Sequence, residues 1–279
     1  MKRLFKQFAV AAGIAASAMS AQALPTTVTS WNYGLNSLFT VAAPGSVTGV
    51  GTTTLSWGTS TGPGQSSLAV TNPRPGAVNT FIGGGLIPPA FWAPGGSLTH
   101  TNNPIGGTSL TSATLRATLN LTALTPLTTA LPGLLPALNF NIGFAETPNS
   151  GTPGSCAIPT SPTACNDIFV LTGGLLNQTF NYDPDGNGLV AYFVNLFPSS
   201  GGVLSVLPAT GCAAAGQPAG CIGFSTPENL ATTLGLSFTV STLPFVTVPE
   251  PGSLALAGLA LFSVGWLRRR TRSGVMSRA

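Results

Sequence analysis

Charge is what this chain has least of. Only 6% of its 279 residues are charged, against about 25% in an ordinary soluble protein. Its two lysines, Lys2 and Lys6, lie at the N-terminus, and the body between the two ends holds only Arg74 and Arg116 as cations. A phosphate-binding surface needs clustered cations, so nucleic acid is excluded as a partner despite a formal net charge of +4. Histidine is almost missing as well, His100 being the only one. With no second base there is no recognisable Ser-His-Asp set, and neither a Gly-x-Ser-x-Gly elbow nor a phosphate loop is present. The acids of the body are Glu146, Asp167, Asp183, Asp185 and Glu228. A glycosidase-like carboxylate pair drawn from Glu146, Asp167 and Glu228 has no support in their spacing. The chain is expected not to be an enzyme.

What is present is polar but uncharged. Thr, Ser, Asn, 35 Gly and 24 Pro are interleaved with Leu, Val and Phe, and hydrophobic residues make up 43% of the chain, enough for a sizeable core. Apolar and polar residues alternate with period two at Leu115, Ala117, Leu119 and Leu121, at Leu138, Phe140, Ile142 and Phe144, and at Leu236, Phe238 and Val240. That is the pattern of half-buried antiparallel strands. Ile168–Leu171 and Leu189–Leu196 are more continuously apolar and read as central strands, with Gly/Pro/Asn/Ser clusters between them as turns. The expected fold class is all-β, an antiparallel β-sandwich-like domain. Residues 41–97 are so rich in Gly and Pro that part of them reads as long loop. A boundary near residue 130 is an alternative, but no clear linker marks it.

Three segments divide the chain. Residues 1–23 read as a secretory signal peptide, with Lys2, Arg3 and Lys6 ahead of an apolar run and Ala21-Gln22-Ala23 as the small-x-small cleavage pattern, leaving Leu24 first. Residues 24–247 are the mature β-rich domain. Residues 248–279 carry Val248-Pro249-Glu250-Pro251, an apolar stretch from Leu254 to Leu267, and the cluster Arg268-Arg269-Arg270. The stretch is short for a span of about 20 residues but can cross with bilayer thinning and snorkelling flanks, the arginines staying cytoplasmic. An uncleaved anchor at the first end and a plain anchor at the second are the alternatives.

Val-Pro-Glu-Pro, apolar helix and arginine cluster together resemble the PEP-CTERM sorting signal of Gram-negative bacteria. The resemblance implies an exosortase, a membrane-embedded cysteine peptidase-like enzyme, that reads the Pro-Glu-Pro motif and cleaves near it. The translocon and signal peptidase would precede it on the export route. A mature form outside the cell or on its surface is implied.

Cys156 and Cys165 enclose one short loop, and Cys212 and Cys221 another of the same length. An even cysteine count in an exported chain reads as disulfides. Three pairings exist, and short loop closure favours the two local ones. Zinc is the rival reading, against which stand the long spacing and the single histidine.

Two candidate sites remain. Asp183-Pro184-Asp185-Gly186-Asn187-Gly188 places oxygen donors Asp183, Asp185 and Asn187 at positions one, three and five of a calcium loop, with glycine at six. Position twelve is Val194 rather than glutamate, and the same residues suit a hairpin turn. The second is His100, read as a loop residue bonded to backbone and hydroxyls. Thr99-His100-Thr101-Asn102 resembles the signature of the THxN family of PEP-CTERM proteins. Trp57 ahead of Ser66-Ser67-Leu68, Asp167-Ile168-Phe169 after Cys165, and the tract Gly223–Glu228 extend the likeness. It implies no catalytic role. The expectation is an exosortase-sorted surface or matrix protein associated with exopolysaccharide, with no cofactor unless calcium. A calcium-assisted lectin using Trp31 or Trp92 is the alternative, and a secreted hydrolase the third reading.

Overall fold

The computed structural model describes residues 24–128, 135, 137–151, 154–161, 164–172, 176–199 and 203–245. Among these the chain runs through β1 (Ser30–Ala43), β2 (Thr54–Trp57), β3 (Thr59–Ser60), β4 (Ser66–Thr71), β5 (Gly76–Phe81), β6 (Ala93–Thr101), β7 (Ile105–Gly106) and β8 (Ser112–Thr125). It continues through β9 (Leu138–Ala145), β10 (Asp167–Leu171), β11 (Gln178–Tyr182), β12 (Val190–Pro198) and β13 (Ser205–Val206). A short helix α1 (Ala209–Ala214), β14 (Ile222–Thr226) and β15 (Ala231–Ser241) complete it. The fold is all-β, as the alternation predicts. Less than half of residues 41–97 is strand: their glycines and prolines gather in the long connections 44–53 and 82–92, as their composition predicts, and leave the alternating stretches between free to pair.

Two layers are built from these strands. One has the order β13-β14-β10-β9-β8-β1-β5; the other runs β2-β4-β6-β15, with β12 on the far edge of β15 and β11 beyond it. They join at a corner where Val240 and Ser241 of β15 pair in parallel with Thr80 and Phe81 of β5. The long pairing of β1 with β8 and that of β8 with β9 place the strands on either side of residue 130 in one layer.

Period-two burial decides which side chains meet. β8 turns Ala113, Leu115, Ala117, Leu119, Leu121 and Ala123 inward and leaves Arg116 outside. The layers interlock through aromatic edges: Tyr33 on Phe238, and Trp31 on Phe180, Tyr182 and Tyr192. Trp31 is fully buried and donates its indole N–H to Thr80 Oγ1 at 2.9 Å. It is a core residue, which removes it from the surface aromatics of the lectin reading; its partner is a hydroxyl that no alternation pattern reveals.

A second, smaller core explains the continuous apolar run of β10. Phe169 points into the main core, whereas Ile168 and Val170 point the other way, under Ile158, Leu207, Cys212 and Ala215. That outer cover is the work of the two cysteine loops. Disulfides join Cys156 to Cys165 and Cys212 to Cys221, the two local pairings. Gly151 has no room for a side chain, since a Cβ there would lie 2.7 Å from Cys165 Sγ. The loops also touch, Thr210 Oγ1 donating to the Ala157 carbonyl at 2.6 Å.

β15 is the axis that relates the two ends of the sandwich. Its start pairs with the end of β6, Thr232 lying opposite His100. Its end pairs with β12 and β5 at Phe193 and Phe81. At 11 residues the strand is about 37 Å long.

Candidate functional site

His100 lies in β6, between Leu68 of β4 and Thr232 of β15. The inward alternation that buries Leu98 buries His100 too. The expectation of a loop residue bonded to backbone and hydroxyls is therefore corrected: the imidazole is 0% exposed, and neither ring nitrogen has a hydrogen-bond partner. Aromatic faces hold it instead. The ring stacks on Trp57 with centroids 5.8 Å apart and meets the edge of Phe144 at 4.9 Å.

Around this ring the fold gathers three of the body's five acids. β9 ends beside the start of β10, with Ala145 opposite Ile168, which brings Glu146 and Asp167 together. Asp167 is paired across the sheet with Thr226 of β14, and Glu228 follows in the turn where the Leu230 N–H donates to the Pro227 carbonyl. Asp167 Oδ2 stands 3.8 Å from His100 Nε2. Its Oδ1 accepts from the Thr147 backbone N–H at 2.8 Å and from the Thr147 hydroxyl at 3.2 Å. Glu146 Oε2 accepts the Trp57 indole N–H at 3.1 Å. Glu228 is half-buried, yet both its carboxyl oxygens are shut off from solvent and unpartnered.

Burial dominates the electrostatics. A low-dielectric setting penalises the charged form of every group. Desolvation drives His100 down to about 3, so its imidazole is neutral at pH 7. Asp167 is pushed up to about 9, first by desolvation and then by the Glu146 charge. Glu146 rises to about 6 from burial, opposed by the Trp57 hydrogen bond. Burial raises Glu228 as well. Glu146 and Asp167 lie close enough for the charge of Glu146 to hold the proton on Asp167 more tightly. The pair His100–Asp167 is therefore a neutral imidazole beside a protonated acid at pH 7, not an ion pair.

Asn102 closes the cluster. Its Nδ2 donates to the Thr226 carbonyl at 3.0 Å, and its backbone N–H to the Leu230 carbonyl at 2.9 Å. Thr99 lies outside, its hydroxyl 2.9 Å from that of Thr233. The dispersed residues of the THxN resemblance thus converge at one end of the sandwich: Trp57, His100, Asn102, Asp167, Thr226 and Glu228. Glu146, weighed in the sequence only as one of three acids that could form a carboxylate pair, is the member outside the THxN resemblance. It carries no spacing signal, because the β9–β10 pairing alone puts it there.

The hairpin between β11 and β12 holds the calcium-loop candidates. Asp183 Oδ1 accepts the backbone N–H groups of Asp185 and Gly186, and its Oδ2 that of Gly188. Asp185 Oδ1 accepts the Asn187 N–H at 3.0 Å, and Oδ2 accepts the Thr26 hydroxyl. These carboxylates face their own loop amides. Among the described residues no group of three or more His, Cys, Asp or Glu is arranged to hold a metal ion.

Residues 247–270 match the model of the PEP-CTERM protein-sorting motif. That match supports a PEP-CTERM protein, exported and processed by an exosortase at the membrane. No curated protein matches the chain. The motif residues Val248, Pro249, Glu250, Pro251, Arg268, Arg269 and Arg270 lie outside the described residues, as do Ala21 and Ala23. Leu24 is described and 87% exposed. Among the described residues no helix is long and apolar enough to cross a membrane.

Proposed function

We propose that the mature domain is a non-enzymatic β-protein of THxN type, delivered by exosortase to the cell surface or extracellular matrix, where it associates with exopolysaccharide. The observation that supports this reading is the burial of the acid–base groups. His100 and Asp167 are both 0% exposed, so the only imidazole of the chain reaches no substrate in the folded state. General acid–base catalysis requires contact within about 3 Å of the transferred proton. The cluster acts as a structural clasp between the two layers. Outside it the surface offers hydroxyls and amides with few charges, a composition suited to a hydrated neutral glycan.

The test is the intact mass of the protein recovered from its native host, with and without reductant, alongside the fractions of cells and matrix. The reading expects a species that begins at Leu24 and ends near Val248–Pro251 in the matrix fraction. It should weigh about four mass units less than its reduced form, the hydrogens lost with two disulfides. An intact C-terminus in the membrane fraction overturns delivery to the matrix. Turnover of a glycan lost on His100→Ala overturns the non-enzymatic part.

A further inference from the structure

At the end of the sandwich remote from His100, the apolar surface is exposed. The loop after β5 carries Ile82 and Leu86 at 54% and 62% exposure, and Leu243 beyond β15 is 47% exposed. Loop and tail adjoin: the Thr242 N–H donates to the Phe81 carbonyl, and a Cβ on Gly84 would lie 3.8 Å from Leu243. Half-buried rings extend the patch. Phe81 meets Phe91 at 5.2 Å, Trp92 meets Phe197 at 5.0 Å, and Phe197 stacks on Phe245 at 6.2 Å. Trp92 itself is 37% exposed. Every one of these residues falls in a charge-free stretch, none of Pro75–Leu115, Leu189–Pro227 or Asn229–Pro249 holding an ionisable acid or cation other than His100. Exposed aromatic and aliphatic groups gathered in this way mark an interaction surface.

Where the chain leaves this surface decides what covers it. Phe245 is held there, its N–H donating to Asn177 Oδ1 at 2.6 Å and its carbonyl accepting Asn177 Nδ2 at 3.1 Å. Residues 246–253 separate it from the apolar stretch that starts at Leu254, and eight residues reach at most about 28 Å even when fully extended. A chain whose residues 254–267 span the bilayer therefore holds this end of the domain at the membrane surface. The span takes the apolar segment out of competition for the patch. Tethering also raises the effective concentration of lipid at the patch, so weak contacts suffice.

We infer that the rim formed by Ile82, Leu86, Trp92, Leu243 and Phe245 seats the uncleaved domain on the lipid surface, with the His100 cluster pointing away from the membrane. The inference rests on reading residues 254–267 as a span. Apolar insertion without cations predicts binding to zwitterionic lipid with no gain from anionic lipid. The acidic turn Asp183–Asp185, which leads into β12 beside β15, disfavours anionic lipid.

The test uses the full chain from Leu24 with Trp266→Phe, which removes the tryptophan of the apolar segment, reconstituted into phosphatidylcholine vesicles. Flotation reports insertion independently of seating; failure to float overturns both. In vesicles with brominated acyl chains, the emission removed by Trp92→Phe should be quenched at least twofold relative to plain vesicles. Ile82→Asp with Leu86→Asp, both on exposed positions, should abolish that quenching while leaving Tm unchanged. Equal emission in the two vesicle types overturns the lipid seat. Quenching that appears only at protein densities where copies cross-link assigns the patch to self-association instead, and quenching that requires added exosortase assigns it to that enzyme; either overturns the lipid reading.

Discussion

The imidazole of His100 lies nearly parallel to the indole of Trp57, with 7° between the planes, while the same indole donates its N–H to Glu146. Trp57 thus links a ring stack to the buried carboxyls. Packing and hydrogen bonding are joined in one residue of β2, at the end of the sandwich where both layers must be closed.

The first prediction separates packing from polarity in that stack. His100→Ala removes a fully buried ring between Trp57 and Phe144 and should lower unfolding stability by about 2–4 kcal/mol. His100→Phe keeps the stack without the unpartnered nitrogens and should recover most of it. Urea midpoints at constant slope give the comparison. A Phe variant as unstable as the Ala variant would show that the nitrogens, rather than the ring faces, carry the contribution.

The second concerns pH. Asp167 is held at about 9, well above its ordinary 3.8. Between those values the folded state binds a proton that the unfolded state has released, so its contribution to stability declines as pH rises and is lost through about 9. His100, lowered to about 3 from 6.5, acts in the opposite sense: its contribution is complete above 6.5 and is lost as pH falls toward 3. Above pH 6.5 the raised carboxyls act without the histidine, Asp167 to the highest pH, and the folding constant should fall with pH up to about 9. Asp167→Asn keeps an acceptor for Thr147 and removes the titration. Its stability should fall much less than the wild type's over that window. A wild-type profile already flat from pH 6.5 to 9 would sink the assignment.

The third prediction follows from the contact between the two cysteine loops. Replacing either cysteine pair by serine should cost about 2–3 kcal/mol. Because Thr210 reaches the Ala157 carbonyl and both loops cover the same core, the two losses should not add. A double-mutant cycle should give a coupling of at least about 0.5 kcal/mol; strict additivity would mean that the loops stabilise β10 separately.

Calcium provides the fourth. With Asp183 and Asp185 occupied by loop amides and Thr26, millimolar Ca²⁺ should leave Tm of the mature domain unchanged. Asp183→Ala should lower stability by about 1 kcal/mol through the loss of those acceptors. A calcium-dependent rise in Tm that the Ala variant lacks would restore the loop as an ion site.

Much of this architecture was legible because period two is a strong signal. The alternation at Leu115–Leu121 and Leu138–Phe144 leads directly to β8 and β9. The continuous run at Ile168–Leu171 is a central strand, though the reason, a disulfide-stapled cover on its outer face, lies in distant residues. The polar cluster was legible only in pieces. His100 looked like a loop residue because Thr, Asn and Pro surround it, and local composition cannot show that an alternating strand continues through those residues into the core. Glu146 and Asp167 meet through strand pairing, a relation that spacing along the chain does not encode.

The position of β15 carries a consequence for the order of events during export. The last strand of the body is also an interior one, flanked by β6, β12 and β5. A chain threaded through a pore from its N-terminus has every other strand outside while the slot for β15 is still open. Closure then waits for residues 231–241, which emerge just ahead of the sorting motif at 247–270. Maturation of the domain and arrival of its address are thereby synchronised: a truncated product lacks both the final strand and the tag that would send it on.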